Sequence, residues 1–327
     1  MTTVPQRHGI TMPCPGLTLA EHRALYEEIA ALGYTDIWSA ETNTFDAFTP
    51  LALAAAWAPT LRLGTAIVPA YTRGAATLAS SVAAMCSAAP GRFALGIGTS
   101  SNVIVESWNG IPFEKPYQRV RDTLRFLRAA LAGEKVTAEY ETFSVKGFRL
   151  GEPIDAMPPL LVAALRPGML RLAGREGDGA IINWLSADDV RKVVPHVGDG
   201  KEIVARVFVL PVEDRDTVRA VGTRSMAAYL NVPVYAAFHE WLGRGPELQP
   251  MWDAWKAGDR KAATAAIPDE VVDDLIVHGT PDECRDHIDR YLANGVTTAA
   301  LALVGAGIDI GKAVRDLAPA EPRAPGR

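Results

Sequence analysis

Eight short apolar runs recur along almost the whole chain, at residues 8–12, 35–38, 61–68, 92–97, 159–164, 179–184, 203–210 and 297–304, and helix punctuation fills the gaps between them. Thr18 precedes Glu21 at capping-box spacing, Leu25, Ile29 and Leu32 follow on one stripe, and Gly33 ends the segment. Thr280-Pro281-Asp282-Glu283 repeats the start signal, with Ile288 and Leu292 on the apolar face and Gly295 as the stop. A third helix is predicted over residues 116–131, where Val120, Leu124, Leu127 and Leu131 align before Gly133. Strand and helix in alternation require parallel pairing through right-handed crossovers, and eight such units are the number that closes a barrel. The expected fold is therefore α/β, a (β/α)8 TIM barrel. An open doubly wound sheet competes with it, but the early strand-to-helix junctions lack the Gly-x-Gly-x-x-Gly turn of dinucleotide folds.

A single barrel domain is expected over residues 1–317, interrupted twice. Between the fourth and fifth strands, at about residues 99–158, the stretch 136–150 reads as a hairpin, with Tyr140, Phe143, Val145 and Phe148 among polar residues. Between the seventh and eighth, at about residues 211–279, the composition is helical and carries Tyr229, Tyr235, Phe238, Trp241, Trp252 and Trp255. Long excursions at the C-terminal ends of barrel strands shape active sites or subunit interfaces, although a packed helical subdomain accounts for the same aromatics. The end of the chain, residues 318–327 with Pro319, Pro322 and Pro325, is expected to be a flexible tail.

Hydrophobic residues at 48% and charged residues at 22% describe a folded globular protein rather than a disordered or fibrous one. A net charge of −5 lacks the broad basic footprint of a nucleic-acid binder. Cys14, Cys86 and Cys284 are odd in number and far apart, which points to reduced thiols and a cytoplasmic location. Neither a signal peptide nor an apolar run of membrane-spanning length is present, so no membrane partner is expected. The cysteines and the six histidines show no metal-ligand spacing. His278 and His287 read as surface residues, His8 as a satisfied core residue, and His239 is a candidate acid or base.

In such a barrel, catalytic groups belong where strands end. The run from Gly91 to Asn102 places a short apolar strand against a glycine-rich exit: Gly96 and Gly98 bare the backbone, and Thr99, Ser100, Ser101 and Asn102 offer hydrogen-bonding groups beside it. Glu41 follows the second strand and suits a bond to a cofactor ring nitrogen or a base, with helix capping or an arginine partner as the structural alternative. Tyr71 and Arg73 follow the third, and Arg73 suits an anion. After the fifth, Ala164-Leu165-Arg166-Pro167-Gly168-Met169 opens a helix toward Gly174, and an arginine, a glycine and free helix N–H groups together make a phosphate site. Asn183 and Trp184 end the sixth strand, the first as a phosphate or heterocycle donor, the second as a pocket wall or core residue.

Taken together, Leu63 to Arg73, Gly91 to Ser100 and Gly177 to Trp184 resemble the bacterial luciferase-like monooxygenase superfamily, and more narrowly its branch of deazaflavin (coenzyme F-420) dependent oxidoreductases. The resemblance spans residues 8–303 and implies a TIM barrel, a flavin or deazaflavin in its mouth, and a homodimer. It assigns Ala66 and Ile67 to a bulged third strand behind the ring, often through a non-proline cis peptide. Gly98, Thr99, Ser100 and Asn102 match the fourth-strand loop, residues 164–169 the phosphate turn, Asn183 a phosphate contact, and Glu41 an acidic residue beside the ring. Where the glucose-6-phosphate dehydrogenases of this family carry a catalytic histidine and glutamate, this chain has Thr42 and Ser101, which argues against a sugar phosphate. The implied activity is hydride transfer between F-420 and a small organic substrate. Glu41, Tyr71 and Trp184 are the candidate catalytic residues, and Trp108 and the aromatic insertion help set the substrate. The alternatives are an FMN-dependent monooxygenase using oxygen with a partner flavin reductase, a non-catalytic flavin-binding protein, and a phosphate-binding barrel isomerase or lyase.

Overall fold

The computed structural model describes residues 4–305 and 307–319. Strands β1 (Arg7–Thr11), β2 (Asp36–Ser39), β3 (Arg62–Thr65), the short β4 (Val68–Pro69) and β5 (Phe93–Gly98) alternate with helices α1 (His22–Ala31), α2 (Phe48–Trp57) and α3 (Ala75–Ala88). A π-helical turn (Val103–Trp108), helix α4 (Pro116–Leu131) and the antiparallel hairpin β6 (Val136–Glu139) and β7 (Ser144–Phe148) lead to β8 (Leu160–Ala163). Helix α5 (Pro167–Glu176), β9 (Gly179–Asn183), α6 (Val190–Val193) and β10 (Glu202–Leu210) follow. The second insertion holds α7 (Arg215–Leu230), α8 (Pro233–Leu242), α9 (Gly245–Lys256), α10 (Arg260–Ala265) and α11 (Asp269–Leu275), then β11 (Ile276–His278). Helix α12 (Pro281–Ala293), β12 (Thr298–Leu303) and α13 (Ile310–Asp316) complete the chain.

Parallel pairing runs β12-β1-β2-β3-β5-β8-β9-β10, and β10 pairs back to β12, so eight strands close into the expected barrel. Strand β5 is buried along its entire length, as a strand between barrel lumen and outer helices must be. The sequence pattern did not signal β11, which adds in parallel to the far end of β10 (Phe208 opposite Ile276). Two boundaries also differ from expectation. The run 61–68 is not one strand: it breaks between β3 and β4. Helix α1 starts at His22, because the Thr18 N–H and hydroxyl bond Glu21 within a preceding turn, and the buried His22 ring bridges the Cys14 N–H and the Thr18 carbonyl. The α12 capping box forms as predicted. Of the predicted tail, residues 320–327 lie outside the described residues. Among the described residues, no helix is long and apolar enough to cross a membrane.

The lumen is layered by the two-residue period of its strands. Trp38 fills the middle with Ala94, Leu161, Ile181, Val204 and Ala300. It fits because its neighbours are bare: a Cβ on Gly64 would lie 2.3 Å from the indole, and one on Gly9 2.9 Å. Below it, Arg62 grips Glu202 with two hydrogen bonds of 2.6 and 2.8 Å and reaches buried Asp36 at 3.4 Å. This ion cluster plugs the N-terminal end of the barrel.

Candidate active site at the barrel mouth

Because the barrel strands are parallel, their C-terminal ends form one rim. On the β3 side, the Ala66–Ile67 peptide is cis, the Ala66 N–H donates to the Ser39 carbonyl at 2.5 Å, and the Ile67 carbonyl accepts from the Glu41 N–H at 3.0 Å. A Cβ on Gly98 would meet the Ala163 Cβ at 2.7 Å and Ile67 Cδ1 at 3.4 Å. Glycine is what lets these residues close into a smooth wall of small and aliphatic groups. Above it, the main chain at Ser100 is left-handed, with φ 59°. The Thr99 hydroxyl donates to the Ser100 carbonyl at 3.1 Å, Ser101 Oγ accepts from the Ile104 N–H at 3.3 Å, and Asn102 is exposed at the head of the π-helical turn.

At the β8 exit, buried Ala164 donates its N–H to the Ile181 carbonyl at 2.9 Å, and Leu165 and Met169 pack on the core. Pro167 occupies the first turn of α5, no side chain caps that helix, and Arg166 is exposed beside it. The space above Gly168 is open, with no atom within 4 Å of a Cβ built there. An uncapped helix N-terminus with an arginine and no obstruction is chemically suited to phosphate.

Other predicted residues have partners of their own. Glu41 is held by Arg73 at 2.9 Å, with Asp46 also 3.6 Å from the same guanidinium. Arg73 is thus committed to carboxylates, a correction to its expected role toward an anion. The Tyr71 hydroxyl donates to the Glu114 carbonyl at 2.6 Å, and burial pushes it up to about 12. Trp184 is 1% exposed and stacks on Phe208 at 4.0 Å, forming a wall beneath the mouth. The Asn183 amide donates to the Tyr235 hydroxyl at 3.2 Å. Thr42 and Trp108 are exposed, Trp108 at 53%. Two hollows of about 450 and 900 Å³ occur elsewhere, one against α4 and one along α12, and none of the mouth residues named above lines either.

The histidines also differ from expectation. His278 and His287 are partly buried rather than surface residues, and His278 Nε2 lies 2.9 Å from Asp273. His239 is fully buried in the insertion, and neither ring nitrogen has a hydrogen-bond partner. Burial and then Arg244 drive it down to about 3; the Trp184 main chain offsets this slightly without making a hydrogen bond by distance and angle. A ring held neutral that firmly is a poor acid or base near neutrality. Burial, followed by Arg290, also lowers His287 to about 4. Both folded values lie below the unfolded 6.5, so unfolding takes up protons in acid. Stability from these rings is complete above pH 6.5 and is lost as the pH falls toward 4 and then 3. We expect urea unfolding between pH 7.5 and 5 to show this decline, His239 alone contributing a slope approaching about 1.4 kcal/mol per pH unit. His239→Leu should flatten the curve; an unchanged slope in the variant would refute the assignment.

Sequence reasoning missed Arg206, which gathers with Tyr229 and Tyr235 of the aromatic insertion where β9 and β10 meet it. A lone charge in the otherwise apolar run 203–210 was the available signal.

The luciferase-like monooxygenase family profile matches residues 1–298, and the chain belongs to that family. It is 27% identical over 298 residues to the 5,10-methylenetetrahydromethanopterin reductase of Methanolobus tindarius, covering 86% of this chain and 89% of that protein. It is 30% identical over 244 residues to the F-420-dependent glucose-6-phosphate dehydrogenase of Rhodococcus hoagii, covering 72% and 71%. In fold it matches the coenzyme F-420 dependent tetrahydromethanopterin reductase of Methanopyrus kandleri with a TM-score of 0.78 at 21% identity, over 96% of this chain and 97% of that one.

Proposed function

We propose that this chain is a coenzyme F-420-dependent oxidoreductase that moves a hydride between the deazaflavin and a small organic substrate at the barrel mouth. The carrying observation is the pairing, on one rim, of the smooth Ala66–Ile67–Gly98 wall with the open, uncapped N-terminus of α5. The first suits a flat ring and the second a phosphate. Relatives named as F-420-dependent enzymes support the same choice.

On this reading, Ala66, Ile67 and Gly98 back the ring. Thr99, Ser100 and Asn102 border it, and residues 164–169 with Asn183 hold the phosphate end. When bound, the cofactor supplies the hydride donor or acceptor. The protein fixes one ring face and keeps water away, Trp184 and Phe208 supplying the apolar side of the mouth. Glu41, clamped by Arg73, acts as a fixed negative charge near the second-strand exit. The reading includes a homodimer in the cytoplasm, the assembly being checked by sedimentation.

Titration of the purified protein with F-420 and with FMN, followed by quenching of each cofactor's fluorescence, is expected to saturate at lower F-420 concentration. Tighter FMN binding would replace this reading with a flavin-dependent monooxygenase. Binding without substrate-linked F-420 turnover across alcohols, aldehydes, enones and imines would leave a non-catalytic binding protein.

A further inference from the structure

Arg206 lies on β10 with Val204, its neighbour two residues back on the same strand face, packed in the barrel lumen. Its Cα pairs in register with Asn183 of β9 on one side and Ala300 of β12 on the other, one layer nearer the mouth than Trp38 and Val204. The guanidinium faces Phe208, with Cζ 5.2 Å from the ring centroid, and Phe208 is itself stacked on Trp184. Its Nε is shut off from solvent without a hydrogen-bond partner. Among the described residues no carboxylate lies within ion-pair distance of it; Tyr229 and Tyr235 are its polar surroundings.

That is an unusual way to keep an arginine. The guanidinium at the closed end of the lumen is matched by contrast: Arg62 has Glu202 and Asp36. A partly buried cation without a counter-charge weakens the ligand-free fold, and burial accordingly lowers its proton affinity. The cost is offset when an anion arrives, since a charge-assisted hydrogen bond in a water-poor site is among the strongest a protein makes. Strand order sharpens the point. Counting round the ring, β10 stands four strands from β3, directly across the lumen from Ala66 and Ile67. A ligand between the two walls would present one end to Arg206.

We infer that Arg206 is a substrate-specificity residue that binds the carboxylate of a planar organic acid, with the Tyr235 hydroxyl beside the carboxylate and Tyr229, backed by the buried Trp184–Phe208 stack, packing the apolar part. This rests on the proposed function only in naming the molecule as the substrate that faces the cofactor ring; the anion site itself does not depend on which cofactor binds.

Benzoate and its neutral isostere benzamide, titrated calorimetrically into the protein with and without saturating F-420, test it. The wild type is expected to bind benzoate at least about tenfold more tightly than benzamide. Arg206→Met should abolish that preference and leave F-420 affinity within about twofold, and Arg206→Lys should retain part of it. Ligand-free Arg206→Met should also melt at a higher temperature than the wild type, because it no longer carries an unmatched charge; if it does not fold, Arg206→Gln takes its place. Equal binding of the two probes, binding of neither, or a preference that survives Arg206→Met overturns the proposal. So does loss of F-420 binding in a folded Arg206→Met protein, which would give the arginine to the cofactor. Benzoate preference in a wild type that binds no F-420 would sustain the anion site and sink the cofactor reading instead.

Discussion

Replacing Arg62 by leucine is expected to lower unfolding stability by about 3–5 kcal/mol, the usual cost of stranding a buried charge. Arg62 makes two short bonds to Glu202 and a longer one to Asp36, and the three side chains are 11%, 10% and 0% exposed. Leucine removes the cation and leaves two carboxylates together at the closed end of the barrel. Arg7, 3.7 Å from Asp36, is too distant and too exposed to replace it. Burial already raises the Asp36 carboxyl, with Arg62 as the chief counterweight. Without Arg62 it rises further, so the deficit relative to wild type should shrink as the pH is lowered and the carboxyls take up protons. Urea unfolding of both proteins at pH 7 and pH 5 measures this. Arg62→Leu combined with Glu202→Leu should recover part of the loss, because it removes one of the two stranded carboxylates and leaves only buried Asp36 without its counter-charge. A single variant within about 0.5 kcal/mol of wild type would show that the plug contributes little.

The barrel was legible because its evidence is repetitive: eight apolar runs and the caps between them depend on local pattern, which folding preserved. What the pattern could not carry was anything set by contacts distant in sequence. The break at Ala66–Ile67 lies inside a continuously apolar stretch, so period and composition are silent about it, and it was anticipated only through family resemblance. Arg73 looked free because its partner Glu41 lies 32 positions earlier and reaches it only when β2 and β3 pair. Tyr235 meets Asn183 across 52 residues. At residues 164–169 the local motif and the folded arrangement agree, because a proline at the first turn and a glycine beside it are local instructions.

That agreement makes Gly168→Asp the most direct probe of the mouth, with an expected rise of about 100-fold or more in the F-420 dissociation constant. The glycine has no left-handed backbone to protect, and a side chain there meets open space, so the aspartate can be accommodated without strain. On the proposed reading that space belongs to a phosphate. A carboxylate placed about 4 Å from it costs about 4 kcal/mol at the effective dielectric of a protein surface, and it competes for the same helix N–H groups. The fold should respond in the opposite direction. An acidic residue in the first turn complements the helix dipole and adds about 0.3–1 kcal/mol. A variant that is at least as stable as wild type but fails to quench F-420 fluorescence therefore separates lost binding from lost structure, with Gly168→Ala as the uncharged control. The expected salt dependence adds a second check: the deficit should narrow at high ionic strength, where exposed charges are screened. If Gly168→Asp binds F-420 as tightly as the wild type, the phosphate end of the cofactor lies elsewhere on the rim, and the assignment of residues 164–169 falls.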